Sequence, residues 1–367
     1  MVLYLCLAIA VGVAGLLLWL AFGRGPRRRR TYQRAQRLLQ QGDWSRALAL
    51  AQTLERHPRL SELWQSRLRN LIGECHHQAA DVLLRDKRYE ESFREFLTAA
   101  PLLGVEEAEM RARVLDAMLA EVRRLFASGT GRDAMEAVLQ LLDRLLALQS
   151  PCPEASFWRG LCHLRLGETA AALGELTQAH ELVGRQYIDP AFYLGALLHQ
   201  IGRVPEALRY LGEANRIDAG CPFVTWQMGI ALVASGGDSG LALRALQRAL
   251  GPRGLGQWAQ APERAWVEAF PEGKSYIRRL AAKYPYVCPV LGGDLTAIIR
   301  QGQLALAQAH YRQGNFQESA DLYAKLLQDC PPTVPLLRGL GLSLARLERY
   351  DQAYKHLRIA LEQENPK

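Results

Sequence analysis

The residues able to do chemistry fall into small groups, and none completes a site by spacing alone. Glu272 to Ser275 reads EGKS, the ending of a loop in which Lys and Ser hold phosphate and a metal ion. That loop also needs a Gly five residues before Gly273, where this chain has Glu268, and no strand precedes it. Nucleotide chemistry is not expected there. ECHHQ sets Cys75, His76 and His77 side by side, but adjacent helical side chains point about 100° apart and do not converge on one ion. No Ser/His/Asp or Cys/His set can be assembled from spacing, so neither an enzyme nor a bound cofactor or metal is expected.

Cys-Pro occurs at Cys152, Cys221, Cys288 and Cys330. The dipeptide resembles the haem-regulatory motif, in which a thiolate binds haem iron. It supports an alternative reading: a small-molecule sensor using these sites or the segment 257–298. Three of the four open helical units, where Pro is expected in any case. Seven cysteines, an odd number with no CxxC, point to reduced thiols rather than a disulfide framework.

The stronger signal is apolar. Phe157, Leu161 and Leu164 lie at i, i+4 and i+7, as do Phe192, Ala196 and His199, and then Trp226, Ile230 and Val233. Each set shares one helix face. With Trp158, Tyr193 and Phe223 nearby, these faces predict an apolar track that takes a partner peptide or helix. On this expectation Phe157, Phe192 and Trp226 carry the affinity.

The elements that would position such a track repeat. Gly195, Ala207, Leu211 and Ala214 recur as Gly341, Ala353, Leu357 and Ala360, as Gly160, Ala172, Leu176 and Ala179, and with one inserted residue as Gly229, Ala242, Leu246 and Ala249. Small residues midway along one helix and at two heights of the next let antiparallel helices approach closely, with Leu filling the space beside them. Gly202 and Gly314 stand where the first helix needs a left-handed end. Pro153, Pro190 and Pro222 open helices.

A grid of this kind resembles the tetratricopeptide repeat family, a helix-turn-helix unit of about 34 residues. The resemblance implies an all-α, right-handed superhelical solenoid of seven to eight units whose first helices line a concave, protein-binding groove. It covers 153–256 and 300–367 best, and extends through 31–150 in divergent form. Arg159 stands where the family places Leu. Residues 257–298 depart from the grid and are expected to interrupt it, as two short amphipathic helices or a degenerate repeat.

Ahead of the repeats, Val2 to Phe22 is an uncharged run followed by Arg24, Arg27, Arg28, Arg29 and Arg30. Such a run is long enough to span a bilayer core of roughly 30 Å, and the arginines fix its orientation with the repeats on the cytoplasmic side. The expected layout is an anchor over 1–23, a basic stop over 24–30 and a single-pass protein. Heavy use of Arg over Lys suggests a GC-rich genome and hence a bacterial inner membrane. The order of anchor, arginines and repeats is similar to that of the bacterial inner-membrane family regulating lipopolysaccharide assembly, but its four-cysteine metal knuckle is missing. Net charge is +8, of which these five arginines supply most. The remainder is no nucleic-acid footprint, so the expected partners are proteins and the membrane.

Overall fold

The structure, a computed structural model, describes residues 12–13, 24–56, 60–129, 131–255, 273–276 and 295–364. Among these the chain is all-α, with sixteen helices and no strand. It divides into two compact units, 1–121 and 122–367. Of the expected anchor only Gly12 and Val13 are described, so the run Val2 to Phe22 otherwise lies outside the described residues. Among the described residues no helix is long and apolar enough to cross a membrane.

In the first unit, α1 (Arg24–Gln40) pairs with α2 (Trp44–Glu55), and α3 (Glu62–Arg85) with α4 (Tyr89–Leu103). Helix α1 runs unbroken from Arg24, and Arg27, Arg29 and Arg30 are exposed on its first turns. Asp43 caps α2, its carboxylate accepting from the Arg46 amide at 3.2 Å. Ala35, Leu39, Ala47, Ala51, Leu71, Ile72 and Cys75 form the core that joins α2 to α1 and α3. This stretch thus folds as helix pairs. The two histidines also diverge, as helical geometry requires. His76 Nδ1 lies 2.6 Å from Glu95, while His77 lies 3.5 Å from Asp81 and is in contact with Arg113.

The long helix α5 (Glu107–Ser128) begins in the first unit and ends in the second, where α6 (Arg132–Leu148) follows. Three pairs then succeed one another: α7 (Pro153–Leu166) with α8 (Thr169–Val183), α9 (Ile188–Gln200) with α10 (Val204–Ile217), and α11 (Pro222–Ser235) with α12 (Ser239–Leu250). Two more close the unit, α13 (Leu295–Arg312) with α14 (Phe316–Asp329), and α15 (Val334–Arg346) with α16 (Tyr350–Glu364).

The glycine grid is what lets each pair close. A Cβ placed on Gly160 would lie 2.7 Å from Leu176 Cγ, and on Gly195, Gly229 or Gly341 it would lie 2.6 Å from the Cγ of Leu211, Leu246 or Leu357. The matching alanines Ala172, Ala179, Ala207, Ala214, Ala242 and Ala249 are fully buried. Leu176, Leu211 and Leu246 are fully buried beside them, each contributing about 1.5–3 kcal/mol of apolar burial. Arg159, where a Leu is expected, instead bridges pairs: its guanidinium reaches Asp143 of α6 at 3.6 Å and Glu175 of α8 at 3.2 Å.

Past residue 256 the helix stack continues. Helix α13 packs directly on α11 and α12, as α11 packs on α9 and α10. Gly302 makes this possible, because a Cβ there would lie 2.9 Å from the Trp226 ring. Arg312 of α13 also donates to the Val233 carbonyl, and Gln313 Nε2 to Ser239 Oγ at 2.6 Å. Of the segment 257–298, Gly273 to Tyr276 and, as the first residues of α13, Leu295 to Ile298 are described.

Candidate functional site

Gly273 to Tyr276 lie at the N-terminal ends of α7 and α9. Tyr187 precedes α9, and Ile188 and Asp189 are its first residues; the side chain of Asp189 is completely buried. A helix start carries backbone N–H groups with no partner inside the helix and favours negative charge. Both features are used here. The Ile188 amide donates to the Lys274 carbonyl at 3.0 Å. The Asp189 carboxylate then accepts from two successive donors, the Ser275 hydroxyl at 2.9 Å on Oδ1 and the Tyr276 amide at 2.7 Å on Oδ2.

The Tyr276 ring, 3% exposed, stacks on Tyr187 at 4.2 Å with the planes 14° apart, and its other neighbour is Phe157 at 5.2 Å. Burial, followed by the nearby Glu154 carboxylate, pushes the Tyr276 phenol far above its ordinary range, so it is un-ionised. Glu154 is itself held by Arg123 at 2.8 Å and accepts from the Trp158 indole N–H at 3.3 Å. Lys274 leaves its side chain in solvent. Lys274 and Ser275 are therefore spent on a docked stretch of chain, with the serine hydroxyl given to a carboxylate rather than to phosphate.

The predicted groove residues are differently placed from what their spacing suggested. Phe157, Trp158, Leu161, Phe192, Tyr193 and Phe223 have no exposed surface, Trp226 is 2% exposed and Ile230 is also buried. The open aromatic track is thus corrected: these rings are core. The physical reason is that first helices pack on one another, so a stripe facing the next first helix is filled by large rings, as Trp226 fills the space over Gly302. Phe157 alone among the three expected anchors has Tyr276 against it. His199 is half-buried, its Nδ1 lying 3.2 Å from Gln227 Nε2.

Asp189, Tyr187, Glu154 and Tyr276 were not picked out by spacing, and Ser275 only as part of EGKS. A signal was present in YIDPAFYL, where one carboxylate sits in an apolar run that the repeat buries.

A second first-helix face lies further along the same unit. There α13, α14 and α15 frame a cavity of about 630 Å³ lined by Tyr311, Arg312, Tyr323, Arg338, Gly339 and Leu342. Arg338 pairs with Glu364.

Two of the four Cys-Pro sites, those of Cys152 and Cys221, do not suit haem iron. Cys221 is completely buried, and burial pushes its thiol up to about 12; burial raises Cys152 as well. A thiol so raised is not the thiolate an iron ligand requires. Cys330 is half-buried, and Cys288 lies outside the described residues.

Stacked antiparallel helix pairs with closely approached glycines define an all-α helical-repeat protein. The tetratricopeptide repeat family model matches residues 119–188 and 298–335. Solved structures to which the chain is similar include the pilF protein of Pseudomonas aeruginosa, 15% identical over 69% of this chain and 94% of that one with a TM-score of 0.46. MamA from Desulfovibrio magneticus RS-1 is 15% identical over 58% of this chain and 94% of that one, with a TM-score of 0.40. No curated protein sequence matches the chain.

Proposed function

We propose that this chain is a protein-binding scaffold whose repeats take protein segments on the first-helix face, held at a membrane by Val2 to Phe22 with Arg24 to Arg30 on the cytoplasmic side. The observation that carries the reading is the seat of Lys274 to Tyr276: a helix N–H and a buried carboxylate hold this stretch through three hydrogen bonds, two to its backbone and one to the Ser275 hydroxyl, and two aromatic rings flank the Tyr276 ring. Tetratricopeptide repeats generally serve protein binding, which supports the same reading. Tethering at a membrane would raise the local concentration of whatever is bound.

The test has two arms. Full-length protein is used for affinity capture from detergent-solubilised membranes, and each captured protein is then purified and titrated against it. Direct binding that raises the melting temperature supports the scaffold; a set of captured proteins that all fail to bind directly sinks it. For the anchor, membranes are washed with alkaline carbonate. Full-length protein should stay in the pellet and a chain lacking residues 1–23 should leave it, and release of both ends the membrane reading.

A further inference from the structure

The seat at the start of α9 is selective, and its selectivity can be read from the groups that form it. We infer that the α7/α9 face is a recognition site for a protein segment carrying Ser or Thr directly followed by an aromatic residue, and that Ser275 and Tyr276 hold this site in cis. The inference rests on the scaffold reading and names the partner chemistry of that site.

Each position of the segment answers to one group of the face. The carbonyl before the hydroxyl residue is taken by the Ile188 amide at 3.0 Å, so this position reads backbone only, consistent with an exposed Lys274 side chain. At the next position Asp189 Oδ1 requires a donor, which Ser275 supplies at 2.9 Å. A carboxylate or phosphate there would bring a like charge against a fully buried carboxylate. At the third position Asp189 Oδ2 takes a backbone N–H at 2.7 Å, which excludes Pro. The side chain of that residue enters a slot between Tyr187 and Phe157, whose ring centroids lie 4.2 and 5.2 Å from that of Tyr276. A flat aromatic ring fills it and an aliphatic side chain does not. A segment of the same chain competes at an effective concentration of about millimolar. A partner therefore gains the site when the cis segment is displaced or weakened.

The probe is a fluorescein-labelled peptide of residues 271–279, PEGKSYIRR, titrated by anisotropy against full-length protein. The Tyr276→Ala chain, with helicity and melting checked against wild type, should bind it at least tenfold more tightly than wild type does. A peptide with Ala at its Ser and Tyr positions should bind neither chain, and adding Asp189→Asn to the Tyr276→Ala chain should return binding to the wild-type level. A folded Tyr276→Ala chain that gains no affinity, or that binds both peptides alike, makes the segment a structural clasp and overturns the inference.

Should Tyr276→Ala fail to fold, hydrogen exchange on wild type decides. Millimolar peptide should speed exchange of the Tyr276 amide at least tenfold, whereas an unchanged rate overturns the inference. A captured partner that binds directly while the peptide never binds leaves the scaffold reading intact and removes only this site. Peptide binding with no direct partner does the reverse.

Discussion

Gly195 and Leu211 approach so closely that a Cβ on the glycine would lie 2.6 Å from the leucine Cγ and 3.2 Å from the Ala207 carbonyl oxygen. The α9/α10 pair therefore has no room for one added methyl. Gly195→Ala should destabilise the protein by about 1–3 kcal/mol through overpacking. Gly174 is the control, since it is exposed on α8 with nothing within 4 Å of a Cβ. Gly174→Ala should stabilise by roughly 0.5–1 kcal/mol, as Ala does in a helix interior. Urea midpoints moving in opposite directions would bear this out, and parallel shifts would contradict the grid.

The turn between paired helices gives a second comparison. Gly202 and Gly314 have φ of +82° and +83°, while Glu348, at the equivalent place before α16, is held at +62°. An L residue with a side chain is strained there. Glu348→Gly should raise stability by up to about 1 kcal/mol and Gly202→Ala should lower it by a similar amount, read as shifts in melting temperature. A loss of stability in Glu348→Gly would show that the side chain contributes more than the strain costs.

Full burial of Phe192 and Trp226 changes what their removal does. As core rings each should cost about 3–5 kcal/mol of folding stability when cut to Ala. As surface anchors they would leave the melting curve in place and weaken only binding. Thermal unfolding of the two single variants separates these outcomes, and an unchanged melting temperature would return the rings to the surface.

Stability should fall on mild acidification. Burial lowers the pKa of His199 and His310 below the ordinary value of 6.5. The ring nitrogen Nδ1 of each faces a side-chain amide nitrogen, Gln227 at 3.2 Å and Asn315 at 3.4 Å. An amide nitrogen only donates, which assigns Nδ1 as the acceptor of a neutral ring. Because the folded pKa is depressed, the unfolded chain binds more protons as pH drops below about 6.5. The contribution is complete above 6.5 and is lost as pH falls toward the folded values. Urea midpoints at pH 7.5 and 5.5 should therefore differ more in wild type than in His199→Gln or His310→Gln. Equal differences in all three proteins would remove both histidines from the acid sensitivity.

The Gly, Ala and Leu positions of the helix pairs were legible in the sequence because helix packing reads short periods: each glycine precedes its leucine by sixteen or seventeen residues, and the pair meets across a single hairpin. The turn glycines and the prolines that open helices are legible for the same reason, being set by a few neighbouring residues. Whether an aromatic stripe faces a partner or the next first helix is not local. Phe157, Phe192 and Trp226 share one spacing, yet Phe157 meets Tyr276 and Trp226 meets Gly302, and only the stacked structure distinguishes them. Continuity of the stack past residue 256 was also beyond periodicity, because it depends on α13 finding α11 and α12. Least legible was the seat at Asp189. Its donors come from residues 275 and 276, far along the chain, and no repeat period relates them. A hydrogen bond acts over about 3 Å of space whatever the sequence separation. The amino-acid order by itself determined the helix pairs and their close approach. The tertiary structure decided which buried carboxylate met which hydroxyl, since that pairing exists only once the helices are stacked.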